Sequence, residues 1–524
     1  MLIHKKKKAV ILKLRSTAKV TTVIPTAKTF KHQGAELVAV PHRPDETRVL
    51  RNLGFDVPDP MPIHYEWPRV SGRYDPFAAQ RETASFLAMH SRAFCLNDMG
   101  TGKTNSVLWA YDYLRRVRQA SKMLVVCPLS TMERTWADSV FQTFAHLDCA
   151  VLYGSRERRL KLLKQDVHIY IINIDGLSII ADELANRPDI NVITVDELAL
   201  ARNSSTTRWK TLNAICNKQS TRRVWGLTGS PTPNAPTDAW AQCKLIIPEG
   251  TSVPRFYGHF RDRVMRQITQ FKWIARPEAN EVVHAMMQPA IRFSLDDCTD
   301  LPEQTFITRE VELSKEQDVA YREMLSKLSA EVAGGQILAV NEAVKVGKLI
   351  QIACGVAYDT NGDSVVIPAK PRMDVLKEVI EQSEGKVIVF VPLTGALESV
   401  AQELSKQWTV EVVHGGTSKA DRDRIFGDFQ RMADPRVLVA NAATMSHGLT
   451  LTAATTIVWY APVNSNEVYQ QACARVRRPG QTRTTVIVHI CGTDIERKAY
   501  KRLANKESMQ GLLLDMMKDR PEIV

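Results

Sequence analysis

Asn97-Asp98-Met99-Gly100-Thr101-Gly102-Lys103-Thr104 follows an apolar run and ends in Gly-Lys-Thr. That ending is the phosphate-gripping part of a P-loop. Glycines let backbone N–H groups close around phosphate oxygens, Lys103 would neutralise the β- and γ-phosphates, and the Thr104 hydroxyl would reach Mg²⁺. The next residues, Asn105 to Val117, read as a helix whose positive N-terminal end faces the anion. One position departs from the usual pattern, because Asn97 stands where a glycine is expected. Alone, Gly-Lys-Thr is weak evidence, because Gly-x-Gly turns are common punctuation ahead of a helix, so the choice between the two readings lies downstream.

About ninety residues on comes Val192-Ile193-Thr194-Val195-Asp196-Glu197-Leu198. An apolar strand ending in two acids puts both carboxylates at the carboxyl edge of a sheet, where ligands bind in α/β folds. Asp196 can hold Mg²⁺ through water, and Glu197 can polarise the water that attacks a γ-phosphate. The plainer reading is a strand end followed by a helix cap. Phosphoryl transfer also needs a cation at the γ-phosphate. Gln471-Ala472-Cys473-Ala474-Arg475-Val476-Arg477-Arg478-Pro479-Gly480-Gln481 offers Arg475 and Arg478, three apart and therefore on one face of a helix that Gly480 would end. A solvated basic helix end is the alternative.

With 524 residues the chain needs more than one core. Its 44% hydrophobic and 24% charged residues suit a soluble globular protein, and a net charge of +12 favours a polyanionic partner. The nine cysteines are scattered without a Cys-x-x-Cys pair, which argues against a zinc ribbon or a disulfide framework. The apolar run after the basic start is too short for a signal core, and no stretch could span a membrane, so a cytoplasmic protein is expected. The Lys5–Lys8 run reads either as a DNA contact or as a solvated end that guards an edge strand.

Residues 1–69 read as a small β-rich unit: strands at Ala9–Leu14 and Glu36–Val40, and a short helix at Asp45–Leu53 stopped by Gly54. A Pro-rich connector from Val57 to Pro62 closes it. Buried-strand signals at Met123–Cys127, Val167–Ile172, Val192–Val195 and Val224–Leu227 alternate with helical ones, which implies a parallel sheet covered on both faces. Residues 248–370 read as mainly helical, with Gln317–Val332 and Val340–Ile352 the clearest helices. Strand rhythm resumes at Lys386–Val391, Val410–Val413, Val437–Ala440, Thr456–Trp459 and Thr485–Ile490.

Taken in order, these segments resemble the superfamily 2 helicases, specifically the Swi/Snf-type DNA translocases, over roughly residues 70–505. Asp98 to Thr104 resembles that family's Asp-Glu-Met-Gly-Leu-Gly-Lys-Thr loop, which also lacks the early glycine and so accounts for Asn97. Gln80 matches the upstream glutamine that reads adenine, with Tyr74 or Phe77 for stacking. Cys127-Pro128-Leu129-Ser130 and Trp136 match a motif that touches the DNA backbone. Asp196-Glu197-Leu198-Ala199 stands where the family has Asp-Glu-Ala-His or Asp-Glu-Gly-His, so Ala199 replaces the histidine that links hydrolysis to the next motif. That next motif is matched by Leu227-Thr228-Gly229-Ser230-Pro231, whose Thr228 and Ser230 hydroxyls suit a relay. Arg422, the Ser446-His447-Gly448-Leu449-Thr450-Leu451-Thr452 segment, Gln471 and the Arg475/Arg478 pair match second-lobe motifs. The family's Arg-Arg-x-Lys stretch survives only as Arg292-Phe293-Ser294-Leu295.

The resemblance implies an α/β fold of two tandem RecA-like parallel-sheet lobes with helical insertions. The boundaries are residues 1–69 for the accessory unit, 70–300 for lobe 1 with a helical protrusion near 248–295, and 301–524 for lobe 2 with an insertion near 315–365. Its chemistry would be ATP-dependent movement along DNA in a compact form like those of phage or bacterial replication modules. ATP and Mg²⁺ are the implied cofactors, Thr104 and Asp196 the metal-side residues, and Lys103, Asp196, Glu197, Arg475 and Arg478 the catalytic set. Gln80, residues 97–104 and Gly448 would bind nucleotide, while Pro128, Ser130, Thr228, Ser230, Arg422, Thr452 and Gln471 would couple to nucleic acid. Expected partners are duplex DNA through its backbone and replication or repair proteins, in the cytoplasm (the host's if the chain is viral). RNA is disfavoured as a substrate. A nucleic-acid-binding remodelling subunit with a weak or vestigial ATPase and an RNA helicase are the alternatives.

Overall fold

The computed structural model describes residues 1–505 except 72–73, 251, 269–272, 299–300, 334–338, 359–363, 446–449 and 479. Gly448, with Ser446, His447 and Leu449, lies outside the described residues, as does Pro479. The chain divides into two compact units, Met1–Thr299 and Asp300–Val524.

The first unit is built on seven strands in the order Ala290–Ile291, Arg92–Cys95, Arg223–Leu227, Ile190–Asp196, Lys122–Cys127, Ile169–Asn173 and Cys149–Leu152. Every neighbouring pair is parallel. Because side chains alternate along a strand, its apolar runs feed two cores at once. Leu124, Val126, Tyr170, Ile172, Ile193 and Val195 pack on one face. Met123, Val125, Ile169, Ile171 and Val192 pack on the other. The second unit repeats the plan with six parallel strands: Gln304–Glu310, Thr485–Cys491, Ala454–Trp459, Lys386–Phe390, Val437–Ala440 and Val410–Val413. Val387, Val389, Val437 and Val439 face one core, and Ile388, Phe390, Leu438 and Trp459 the other.

The stretch near 248–295 is less helical than its sequence suggests. Helices Tyr257–Val264 and Ala279–Met286 are present, but a hairpin pairs Met265–Gln267 with Trp273–Ala275. Ala290–Ile291 then adds a seventh strand beside Arg92–Cys95. Two residues of pairing are too short to leave a periodic signal in sequence.

Residues 2–41 form a separate four-stranded antiparallel sheet in the order Leu2–His4, Ala9–Lys13, Ala35–Pro41, Lys28–His32. Its inner face packs Val10, Leu12, Val38 and Val40 on Val20, Ile24, Leu50 and Val57. The helix Pro44–Asn52 fastens it to the seven-stranded layer. Arg223 donates to Asp45 at 3.0 Å, and Gln119 to Glu46 at 3.4 Å.

Candidate nucleotide and nucleic-acid site

Strand Arg92–Cys95 runs into the Asn97–Thr104 loop, and helix Lys103–Arg116 leaves it. The turn needs glycine twice over. Gly100 and Gly102 have φ of +85° and +82°, where a Cβ is strained. A Cβ on Gly102 would also fall 2.2 Å from Gln80 Nε2. The helix start leaves its first N–H groups without intrahelical acceptors, as an anion site requires. Lys103 Nζ lies inside the loop, donating to the carbonyls of Asn97 at 2.8 Å and Asp98 at 3.1 Å. Such carbonyls are weak stand-ins for phosphate oxygens, so a triphosphate could replace them.

Asn97 is buried and holds the loop from two sides. Its Nδ2 donates to Thr83 Oγ1 at 2.9 Å, and its Oδ1 accepts from the Phe293 N–H at 2.9 Å. The Asp98 N–H donates to the Phe293 carbonyl at 2.9 Å, and Arg292 pairs with Asp98 at 3.3 Å. Gln80 sits over the loop. Its amide donates to the Thr101 carbonyl at 3.1 Å and accepts from the Phe77 N–H at 3.1 Å. Thr83 escapes sequence reasoning because it belongs to no motif, and Phe293, though inside the Arg292–Leu295 remnant, acts through its backbone, which its side-chain identity does not signal.

Two strands away, Ile190–Asp196 brings its acids to the same sheet edge. Asp196 Oδ2 accepts from the Trp136 indole N–H at 2.9 Å, and Oδ1 from the Glu197 N–H at 3.1 Å. Burial and the Glu197 charge push the Asp196 carboxyl up to about 6, against the pull of Trp136 and Lys103. Glu197 has φ of +51°, a left-handed conformation rarely adopted by residues other than glycine and common where a site holds strain. Between these strands, Arg223–Leu227 ends in Thr228, whose N–H donates to the Cys95 carbonyl at 3.1 Å and whose Oγ1 accepts from the Ser230 N–H at 3.2 Å. A Cβ on Gly229 would touch the Asn97 carbonyl and Met99 at 3.5 Å, so this segment abuts the phosphate loop. The structure thus brings Gln80, residues 97–104, Asp196, Glu197, Thr228 and Ser230 to one sheet edge.

Pro128 is buried at the end of Lys122–Cys127, and Ser130 is exposed one turn later. Trp136, expected at the DNA backbone, is instead fully buried. The π-helical turn Met132–Ala137 swings its indole inward onto Asp196. Ala199 is also buried, and its carbonyl accepts from the Arg202 guanidinium at 3.2 Å.

In the second unit, helix Asn466–Cys473 carries buried Gln471, which donates to Glu467 at 3.1 Å. The helix stops at Cys473, so Arg475 and Arg478 do not share a helical face as their spacing suggests. The reason is a clamp. The Leu451 N–H donates to the Arg475 carbonyl at 2.9 Å, and Gln481 Nε2 donates to the carbonyls of Thr452 at 3.2 Å and Ala454 at 3.0 Å. Arg475 is 2% exposed, whereas Arg478 is partly exposed and donates to Thr450 Oγ1 at 3.3 Å. Gly480 takes φ of +102° beyond this turn. Gln430, on helix Lys419–Arg431 with Arg422, donates to Thr452 Oγ1 at 3.0 Å, and Arg422 itself donates to the Thr417 carbonyl at 3.2 Å.

This arrangement has counterparts. The SNF2-related domain family matches residues 80–352, and the helicase conserved C-terminal domain matches residues 371–480. Putative protein p41 of Acyrthosiphon pisum secondary endosymbiont phage 1 is 27% identical, covering 80% of this chain and 94% of its own. The SWI/SNF-related matrix-associated actin-dependent regulator of chromatin subfamily A-like protein 1 of Xenopus laevis is 25% identical over 80% of this chain and 42% of its own. The putative ATP-dependent helicase/translocase YwqA of Bacillus subtilis is 23% identical over 90% of this chain and 52% of its own. This chain therefore spans nearly all of the phage relative but only about half of the longer ones. A solved Sulfolobus solfataricus SWI2/SNF2 ATPase core in complex with dsDNA superposes with a TM-score of 0.42 at 21% identity, over 87% of this chain and 95% of its own. The chain belongs to the SNF2-related family of superfamily 2, a class of nucleotide-using, ATP-dependent helicases and translocases.

Proposed function

We propose that the chain is an ATP-driven translocase on duplex DNA that uses Mg²⁺ and works in the cytoplasm, the host's if it is viral, alongside replication or repair proteins. The observation that carries this reading is the shared sheet edge of Lys103, Asp196, Glu197 and Thr228, at or just beyond the ends of three neighbouring strands. Lys103 neutralises the β- and γ-phosphates once it leaves the Asn97 and Asp98 carbonyls. Thr104 and Asp196 are the oxygen donors that suit Mg²⁺, which supplies charge neutralisation on the phosphates when bound. Glu197 takes the proton of the attacking water, and Thr228 and Ser230 sense the γ-phosphate. Arg475 and Arg478 are the cationic residues that the family resemblance assigns to phosphoryl transfer. Gly448, Arg422, Thr452, Gln471, Pro128 and Ser130 serve nucleotide or strand contacts, as the family resemblance suggests.

A net charge of +12 supports a phosphate-backbone track with steep salt dependence and little sequence preference. Buried Ala199, lacking the imidazole of the family motif, favours as second reading a weak ATPase that remodels without processive movement. ATPase assays with single-stranded DNA, duplex DNA and RNA separate these readings. Strong stimulation by duplex DNA, lost in Glu197→Gln while ATP binding persists, supports the translocase. Stimulation by RNA alone, or normal turnover in Glu197→Gln, overturns it.

A further inference from the structure

Residues 1–64 hold twelve lysines and arginines against five aspartates and glutamates, a net +7 out of the chain's +12. The imbalance is concentrated further by pairing. Arg43, Arg48 and Arg51 engage Glu46, Asp45 and Asp59 on the side that meets the larger sheet. Lys5, Lys6, Lys7, Lys8, Lys13, Lys28 and Lys31 are all exposed. The motor chemistry uses none of them.

Register shows where they stand. The face opposite the small core carries the row Lys13–Leu37–Phe30, then Ile11–Ala39–Lys28, with Leu2 joined to Ile11. His32 and Ala35 lie beyond one end, His4, Ala9 and Pro41 toward the other, and the Lys5–Lys8 turn closes that end. Phe30 is 37% exposed on the edge strand, with Lys28 and His32 two positions to either side and so on the same face. Small residues, Ala9, Ala35 and Ala39, leave the middle of the face shallow. The platform runs about 20 Å along the strands.

Resting on the reading of the chain as a DNA motor, we infer that this outer sheet face is a second nucleic-acid site, one that holds single-stranded DNA apart from the ATPase edge. A shallow sheet with an exposed ring suits an unstacked base, because every base has a face to stack, while flanking lysines follow the phosphates. A duplex offers its bases only inside grooves, which a flat face does not enter. Charge complementarity and the Phe30 ring together favour the single strand over other polyanions.

The test uses the full-length protein without nucleotide, with a fluorescein-labelled oligo(dT) and a duplex of equal length read by anisotropy across a salt series. Phe30→Ala is expected to weaken oligo(dT) binding about tenfold, with Phe30→Trp restoring it. Lys13→Glu/Lys28→Glu should weaken it and flatten the salt slope by at least about 1.4, whereas Lys13→Arg/Lys28→Arg keeps both. In all these variants duplex-stimulated ATPase should stay within about twofold of wild type, since the ATPase edge is untouched. Unchanged oligo(dT) affinity in Phe30→Ala and Lys13→Glu/Lys28→Glu overturns the proposal, as does equal loss of duplex and oligo(dT) binding. Failure of the motor reading looks different: wild-type ATPase would then ignore every DNA, whatever the sheet binds.

Discussion

At the scale of single residues, the phosphate loop is held by Asn97, the position where a generic P-loop has glycine. Its side chain joins Thr83 and the Phe293 N–H while its carbonyl receives Lys103. Asn97→Gly would restore the textual pattern yet remove two buried hydrogen bonds and add backbone freedom. A loss of about 2 kcal/mol in urea unfolding, with weaker nucleotide binding, is expected, and unchanged stability would contradict this role. Trp136 acts similarly on Asp196. Trp136→Phe keeps a smaller aromatic ring and deletes the N–H that stabilises the carboxylate, so the Mg²⁺ concentration giving half-maximal ATPase should rise about tenfold. The residues that meet at this sheet edge were legible in sequence because phosphate chemistry suggests which side chains follow which strands. Their supports were not, because Trp136 and the Phe293 backbone act through one or two hydrogen bonds whose partners lie tens to hundreds of positions away.

At the scale of elements, the parallel strands were readable from their unbroken apolar runs, while Ala290–Ile291 was too short to signal itself. Spacing also misplaced the arginine pair. A helix would align Arg475 with Arg478, but the Gln481 clamp ends the helix at Cys473. Their substitutions should therefore differ in kind. Arg478→Ala, at a partly exposed position, is expected to cut ATP turnover by about 10³-fold with little change in unfolding. Arg475→Ala, at a buried one, should also lower stability by about 1–3 kcal/mol, and identical behaviour would contradict the distinction. Another element carries a pH signature. His489, on the strand Thr485–Cys491, contacts the Tyr469 hydroxyl at 2.8 Å and stacks on Tyr500. Burial lowers its pKa to about 4. The fold thus favours neutral His489, so its contribution is complete above the unfolded value near 6.5 and is lost as pH falls toward 4. Between pH 7 and pH 5, wild type should lose about 2 kcal/mol more stability than His489→Gln, measured by urea midpoint.

At the scale of the whole molecule, two units repeat one plan, a parallel sheet between two helical layers, and the family matches fall across both. Repetition was visible in the strand rhythm, whereas the N-terminal sheet gave only a basic run and two strands. Its charge emerges as a surface property once register places Lys13 and Lys28 on the outer face and the Lys5–Lys8 turn at its end. Hydrolysis at the Lys103–Glu197 edge is proposed to move the protein along duplex DNA. Triplex displacement reads that movement most directly: a labelled third strand on a duplex, with ATP, against Glu197→Gln and a non-hydrolysable analogue. Wild type is expected to release the third strand when ATP is hydrolysed, Glu197→Gln is expected to release none, and the underlying duplex should stay intact. An ATPase stimulated by duplex DNA that leaves the third strand in place would contradict that movement.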